Sequence, residues 1–188
     1  VQTTEVIGEL VGPAGGVTSV VWYGDWVAAG SLDGTAWIWS TETWEVVTVF
    51  EEVIGGVTTI TSSPDGEYLA CGIDNGTLLV GDTRTGELVT SIETSTETIT
   101  SISWFGTQIL VGTGNEVQVV DSTRWEVVDT FSVTGGVTNV TWTSGGTQFV
   151  VVATDGNIEL RHQSITSTDI NKLTGPHPQP STDEQTLD

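Results

Sequence analysis

The chain has 188 residues, of which 25 are acidic and only 4 are basic, giving a formal net charge of −21. Its apolar content is nevertheless ordinary for a globular protein, which excludes an acidic disordered chain. The few basic residues form no cluster, so direct binding of nucleic acid is not expected. No apolar run is long enough to span a membrane and no segment resembles a signal peptide, so we expect a cytoplasmic protein without a membrane role.

Short segments of alternating apolar residues, separated by turn residues, follow one another along most of the chain. In the first set the alternation predicts β-strands over Val17–Tyr23, Trp26–Gly30, Thr35–Trp39 and Trp44–Phe50. The dipeptide Asp33-Gly34 separates the second segment from the third, and such dipeptides supply the positive φ of a tight hairpin. The pattern therefore predicts a four-stranded antiparallel unit.

This unit occurs four times. Asn75-Gly76, Gly114-Asn115 and Asp155-Gly156 stand in the later copies where Asp33-Gly34 stands in the first. A period near 40 residues built from short strands is typical of a β-propeller with one blade per repeat. The copies begin with Val17-Thr18-Ser19-Val20, Val57-Thr58-Thr59-Ile60, Ile99-Thr100-Ser101-Ile102 and Val137-Thr138-Asn139-Val140, at offsets of 40, 42 and 38 residues.

The repeats are out of phase with the ends of the chain. Glu5 precedes Val17 by 12 positions, as Glu45 precedes Val57, so residues 4–7 have the pattern of a fourth strand. The last copy has only three segments and ends near Arg161. The two partial sets add up to one blade, which predicts an all-β propeller of four blades and 16 strands.

The second copy is similar to a WD repeat in both its strands and its turns. It runs Ser63-Pro64-Asp65-Gly66-Glu67-Tyr68-Leu69-Ala70-Cys71-Gly72, then Asn75-Gly76-Thr77, and then Gly81-Asp82-Thr83-Arg84-Thr85-Gly86-Glu87. The resemblance to the WD-repeat family extends from Val6 to His162. It implies that the first strand of the chain completes the last blade, which removes exposed sheet edges.

Several positions depart from the family pattern. Ser31, Asp33 and Trp39 match only part of the family's buried His-Asp-Ser-Trp hydrogen-bond network. Weaker resemblances link the third copy to YVTN-type propeller repeats and Asp82, Thr85 and Gly86 to a motif of quinoproteins. The Trp-Asp pair that names the family is represented by Trp39-Ser40, Gly81-Asp82, Val120-Asp121 and Arg161-His162.

The charge imbalance comes more from missing basic residues than from added acidic ones, since Lys172 is the single lysine. Such a surface repels itself in dilute buffer, but the Debye length is only about 3 Å at 1 M salt. The composition resembles that of a haloarchaeal protein from a high-salt cytoplasm. The alternative interpretation is an acidic surface that recruits a basic partner.

Three arrangements of the blades are compatible with the sequence. Four blades close alone, or two chains form an eight-bladed homodimer in which each first strand completes the other chain's last blade, or the chain is part of a longer propeller. The propeller domain is predicted over residues 1–163, with repeats at about 17–56, 57–98, 99–136 and 137–163 plus 1–12. Residues 164–188 contain three prolines and few apolar residues, and we expect them to be disordered.

The function that the resemblance implies is a non-enzymatic scaffold for protein–protein interaction. Cys71, His162 and His177 are too isolated to form a metal or catalytic constellation, so no metal, no cofactor and no catalytic residue is predicted. A quinoprotein-like or lactonase-like propeller enzyme is the alternative.

The residues predicted to bind a protein partner fall into two groups. Trp37 and Leu79 are apolar where the later copies have Gln118 and Glu159, so their exposure would create an apolar patch. The others lie in the loops that the family places on one face, where turn formation is their alternative role. The full set is Trp37, Leu79, Asp33, Asp74, Asn75, Asn115, Asp155, Glu51, Glu52, Glu93 and Glu97.

Overall fold

The computed structural model describes residues 5–6, 8–51 and 55–162, and these residues form fifteen β-strands without a helix. Their mean length, near six residues, is that of ordinary globular strands. The strands are β1 Val17–Tyr23, β2 Trp26–Ser31, β3 Ala36–Ser40, β4 Val46–Phe50, β5 Val57–Ser62, β6 Tyr68–Ile73, β7 Thr77–Asp82, β8 Leu88–Glu93, β9 Ile99–Phe105, β10 Gln108–Thr113, β11 Glu116–Asp121, β12 Glu126–Ser132, β13 Val137–Trp142, β14 Gln148–Ala153 and β15 Ile158–His162.

The strands form four antiparallel sheets, which we call blades one to four. Within each blade the strands are hydrogen-bonded in chain order, from β1 to β4, β5 to β8, β9 to β12 and β13 to β15. Gly34, Gly76 and Gly156 take positive φ in the turns between second and third strands, as the hairpin dipeptides predict. The prediction of an all-β fold with four blades is confirmed.

Blade four has three strands among the described residues. Glu5 and Val6 do not lie in a strand, while Thr4 and Ile7 fall outside the described part of the chain. The predicted sixteenth strand and the completion of the last blade by the first strand stay predictions. The predicted C-terminal tail, residues 164–188, also lies outside the described residues.

The predicted start of the fourth strand of blade one, Trp44, was wrong by two residues. Trp44 and Trp125 lie in turns with φ of 60° and 58°, and the strands begin only at Val46 and Glu126. Gly86 takes φ of 73° at the same place in blade two, so the turn requires a left-handed residue there. The backbone cost of about 1 kcal/mol for a tryptophan is offset by edge-to-face ring contacts, such as Trp44 with Trp22 at 6.2 Å.

The core of the protein lies in the contacts between consecutive blades, which we call seams. In the first seam Ala28, Ile38 and Phe50 of blade one pack against Val57 and Ile60 of blade two, and all are buried. The two following seams repeat this arrangement with Leu78 and Val80 against Ile99, and with Val117 and Val119 against Val137. Each blade therefore buries its apolar face only by having a neighbour.

A glycine in the second strand of each of the first three blades makes the seams tight. A Cβ atom on Gly30 would lie 2.6 Å from a methyl of Val57, and one on Gly72 would lie 2.6 Å from a methyl of Ile99. Gly112 stands in the same relation to Val137, at 2.7 Å. The glycines thus let the first residue of the next blade pack directly on the backbone.

A threonine hydroxyl joins the blades at the same level. The Thr18 hydroxyl oxygen lies 3.0 Å from the Gly30 carbonyl oxygen and 2.8 Å from the Val57 carbonyl oxygen. Thr58 and Thr100 repeat this arrangement, at 2.5 Å and 2.8 Å from the carbonyl oxygens of Ile99 and Val137. Each seam therefore has this polar contact beside its apolar packing.

Replacing Gly72 by alanine tests the seam packing. Because the new Cβ would also lie 2.8 Å from a methyl of Thr59, we expect the free energy of unfolding to fall by about 1–3 kcal/mol. Urea unfolding in about 2 M KCl, followed by tryptophan fluorescence, measures the change. Gly145→Ala is the control, since its Cβ would meet only a Thr147 oxygen at 4.0 Å, and equal effects of both changes would contradict the packing role.

Candidate protein-binding face

One face of the blades is formed by two kinds of loop, and we call it the turn face. It consists of the turns between second and third strands together with the connections that lead into β1, β5, β9 and β13. Hydrogen bonds join the two kinds of loop: Leu32 N donates to Gly16 O at 3.0 Å, and Asp74 N donates to Gly56 O at 3.0 Å. The same contact, Thr154 N to Gly136 O, recurs in blade four at 2.7 Å.

The Asp33 carboxylate on the turn face accepts three hydrogen bonds. It accepts them from the Thr35 hydroxyl at 2.6 Å, from Gly15 N at 2.8 Å and from Thr35 N at 3.0 Å. These donors, with the Thr35 hydroxyl first, lower the pKa of Asp33 to about 2 although its side chain is exposed. The carboxylate is therefore charged at any physiological pH.

The turn residues of blades two and four are exposed and also stabilise their turns. Asn75 Oδ1 accepts from Thr77 N at 3.0 Å, and Asp155 Oδ1 accepts from Asn157 N at 3.0 Å. Asp74 is exposed beside Gly56, and its carbonyl oxygen accepts from the Thr98 hydroxyl at 2.8 Å. Asn75 and Asp155 therefore stabilise their turns and are also exposed on the turn face.

Acidic residues at the end of a fourth strand and in the connections extend the same face. Glu51, Glu93 and Glu97 are exposed, while Glu52 lies outside the described residues. The Glu97 carboxylate lies against Gly114, next to the exposed Asn115, so blades two and three are joined here. A shallow cavity of about 380 Å³ lies between these blades and is lined by Asp74, Thr96, Glu97, Thr98, Thr100 and Gly114.

The arginines of the described residues do not neutralise this face. Arg84 pairs with Asp82, and Arg124 pairs with Asp121 and Glu126, in the turns between third and fourth strands at the opposite end of the blades. Arg161 pairs with Glu159 at 2.6 Å on β15. The turn face therefore presents carboxylates without a cationic partner from this part of the chain.

Leu32 is a surface residue of the turn face that the sequence analysis missed. Its side chain is 60% exposed, whereas Asp74 and Thr154 hold the same place in blades two and four. A Cβ atom on Gly56 would lie 3.2 Å from the Leu32 carbonyl oxygen and 3.3 Å from an Asp74 carboxylate oxygen, so the two residues are neighbours. Aligning the four turns position by position would have shown this apolar residue among polar counterparts.

The two predicted apolar residues are not brought together. Trp37 is half-buried, stacks on Trp39 at 6.1 Å between ring centroids, and donates to the Thr35 hydroxyl at 2.9 Å. Leu79 is half-buried in the seam between blades one and two, in a different cluster. Their role in partner binding stays a prediction.

Leu79 instead lies with Glu51 in a cavity of about 510 Å³ at the side of that seam, next to Phe50, Cys71 and Gly81. Burial raises the pKa of the Cys71 thiol to about 12. The thiol is protonated at neutral pH and does not act as a nucleophile there.

Comparisons with known proteins agree with this architecture. A family model for the WD domain, G-beta repeat, matches residues 4–40, and one for the anaphase-promoting complex subunit 4 WD40 domain matches residues 23–107. The chain belongs to the WD-repeat β-propeller family. WD repeats generally mediate protein–protein interaction or scaffolding. A search of curated proteins finds no match to this WD-repeat chain.

Two computationally designed proteins have a similar structure. The crystal structure of the Ika4 protein superposes with a TM-score of 0.78 at 19% identity, covering 86% of the WD-repeat chain and all of the Ika4 chain. The crystal structure of the Ika8 protein superposes with a TM-score of 0.74 at 20% identity, covering 82% of this chain and 48% of the Ika8 chain. At these identities the similarity shows the fold alone.

The structure also shows how blade one differs from the family's hydrogen-bond network. Asp33 N donates to the Ser31 hydroxyl at 3.2 Å, but the Trp39 indole donates to the carbonyl oxygen of Val11 at 3.1 Å. Among the described residues no group of three or more His, Cys, Asp or Glu side chains could hold a metal ion. The same residues contain no helix that is long and apolar enough to cross a membrane.

Replacing Thr35 by valine tests the electrostatics of the turn face. Because the variant loses the Thr35 hydroxyl, the pKa of Asp33 should rise from about 2 toward the unfolded value near 3.9. In the wild type the pKa of Asp33 is lower in the folded state than in the unfolded state. The Asp33 carboxylate therefore stabilises the folded state fully above about pH 3.9, and this stabilisation is lost as the pH falls through about 2.

Carbon-13 NMR titration of the Asp33 carboxyl group measures the shift. Thr96→Val is the control, because Thr96 is exposed on another connection of the same face. An Asp33 midpoint that is the same in both variants would contradict the assigned hydrogen bonds.

Proposed function

We propose that this WD-repeat chain is a non-enzymatic scaffold that binds a protein partner through its turn face in a high-salt cytoplasm. The observation that carries the proposal is the exposed Leu32 beside Asp74, on a face whose carboxylates have no arginine partner among the described residues. The membership of the WD-repeat family supports a binding role, since such repeats generally mediate protein–protein interaction.

The chemistry of the face defines what kind of partner fits. Leu32 supplies exposed apolar area among polar turn residues, which is the arrangement of an interface anchor. Asp33 follows it in the same turn and Asp74 lies beside it, and both exposed carboxylates are acceptors for hydrogen bonds. The matching partner surface has an apolar recess bordered by donors such as backbone N–H, hydroxyl or arginine groups.

High ionic strength changes the balance of these contributions. The Debye length of about 3 Å at 1 M salt screens long-range attraction between charges, but it leaves apolar burial and direct hydrogen bonds in place. Binding under these conditions therefore depends more on Leu32 than on the number of carboxylates. The surplus of 21 negative charges serves solvation of the surface rather than recognition.

The binding proposal predicts that Leu32→Ser weakens partner capture. Burial of a leucine side chain contributes about 1.5–3 kcal/mol, so its loss should lower affinity roughly tenfold or more. Wild type and variant are immobilised and exposed to a lysate in about 2 M KCl, and retained proteins are quantified by mass spectrometry. Val128→Ser is the matched control, since Val128 is 45% exposed on β12, away from the turn face.

The expected result is a protein retained by the wild type and by Val128→Ser but not by Leu32→Ser. Equal retention by all three chains would remove the turn face from consideration. Failure of the wild type to retain any protein in molar KCl would contradict the scaffold role itself.

The high-salt proposal predicts that stability rises with KCl. Between about 0.1 and 2 M KCl the thermal midpoint should increase by about 5 °C or more, because screening removes repulsion that is worth one or more kcal/mol. Circular dichroism on heating measures it. The matched variant replaces the exposed Glu42, Glu45, Glu67 and Glu87 by glutamine, and its midpoint should depend less on salt. If the thermal midpoint of the variant rises with KCl as steeply as that of the wild type, charge repulsion is not the cause of the salt dependence.

A further inference from the structure

The two ends of the row of blades expose apolar side chains at positions that every seam buries. We call the free side of blade one, with Val17 and Val20, the leading face. The free side of blade four, with Ile158 and Leu160, is the trailing face. Among the described residues β13 makes no contact with β1 comparable to those of β1 with β5, β5 with β9 and β9 with β13. The row of four blades is therefore open.

The leading face has the composition of a seam without its neighbour. Val17 is 55% exposed and Val20 is 63% exposed. The residues at the same two positions in the other blades, Val57 and Ile60, Ile99 and Ile102, and Val137 and Val140, are at most 7% exposed. The apolar character of β1 is thus explained only by a blade that packs in front of it.

The trailing face shows the complementary pattern. Strand pairing places Ile158 opposite Val152 in the way that Ala36 pairs with Gly30 and Val117 pairs with Gly112. Ile158 is 71% exposed and Leu160 is 63% exposed, whereas the residues at these places in the other three blades are at most 1% exposed, namely Ala36, Ile38, Leu78, Val80, Val117 and Val119.

Polar groups at the two ends also match those of a seam. The Thr138 hydroxyl holds the place of Thr18, Thr58 and Thr100 and lies 2.9 Å from the Val152 carbonyl oxygen. Its three counterparts each reach a second carbonyl oxygen, that of the first residue in the next blade. On the leading face the residue that would supply this carbonyl is Val17.

The segment before blade one already holds the place of a preceding blade's last strand. In the internal seams Phe50 packs against Gly81, and Phe131 lies 5.8 Å from the guanidinium carbon of Arg161. Trp39 is the counterpart of Gly81 and Arg161, and Gly12 lies directly against its indole ring. Among the described residues no further strand of that preceding blade packs in front of β1.

We propose that a second copy of this chain supplies the other strands of that blade, so that two copies join leading face to trailing face at both ends and close an eight-bladed ring. Each seam between copies would repeat the packing that the chain uses three times internally. Propellers typically have about 4–8 blades, and two rows of four blades reach eight, whereas three rows would give twelve. A two-fold axis makes the two new seams identical and leaves no open end.

One residue makes the new seams looser than the internal ones. Val152 occupies the place of Gly30, Gly72 and Gly112, whose missing side chains admit the first residue of the next blade. The partner's Val17 must therefore lie further out than Val57 does in the first seam. The two copies also carry 21 surplus charges each, so the ring requires salt.

Light scattering after size exclusion in about 2 M KCl tests the proposal. The expected mass of the wild type is twice the chain's 19.9 kDa. A mass of one chain would overturn it, because the ends would then stay open or close within the chain. A mass of more than two chains would overturn it as well, since an open filament would have replaced the ring.

Two variants assign the contact to the named faces. Val20→Asp damages the leading face and Leu160→Asp damages the trailing face, and each alone should have the mass of one chain. Both residues are exposed in the single chain, so circular dichroism should show unchanged β-structure. Val128→Asp, exposed on β12, is the control and should keep the double mass.

Mixing the two damaged chains in equal amounts separates a ring from any other dimer. In the mixed ring one seam carries both substitutions and the other is intact, so the double mass should return in part. A dimer that uses the leading faces alone would be lost in Val20→Asp but kept in Leu160→Asp. Retention of the double mass by either variant, or no recovery on mixing, would overturn the proposal.

Discussion

The seam between consecutive blades is the contact on which the rest of this structure depends. A single blade is a four-stranded sheet with apolar residues on both sides, and it has no core of its own. The first residue of each following blade packs on a glycine of the blade before it, and a threonine hydroxyl connects the two backbones. Stability in such a fold is approximately a sum of blade and seam contributions, as in other repeat proteins.

The dependence on seams explains why the ends of the chain differ from its middle. Inside the row, Ile60 and Val140 are buried, and their backbone N–H groups donate to serine hydroxyls of the preceding blade. At the ends the same kinds of residue are exposed because no blade of the described residues packs on them. Apolar exposure at Val20 and Leu160 therefore follows from the repeat itself and does not require a separate explanation.

The turn face is connected to the seams through the same loops. Asp33, Asn75 and Asp155 first serve the chain by capping the turns between second and third strands, and their exposure follows from the position of those turns. Leu32 and Asp74 join the loops through their backbone N–H groups, which donate to Gly16 and Gly56, whatever the side chain. Variation among the four blades at these positions is therefore where recognition can differ without a cost to the fold.

The sequence by itself determined the strands, the turns and the number of blades, because each depends on local periodicity and on dipeptides such as Asp33-Gly34 and Asn75-Gly76. It did not determine the turn positions of Trp44 and Trp125, where ring packing against Trp22 and Trp104 offsets an unfavourable backbone conformation. Nor did it show that Leu32 is exposed, that Trp37 is half-buried against Val27, Ala29 and Trp39 of its own blade, or that Leu79 is half-buried in the first seam. Burial at these positions is decided by which blade lies next to which, and only the tertiary structure specifies that.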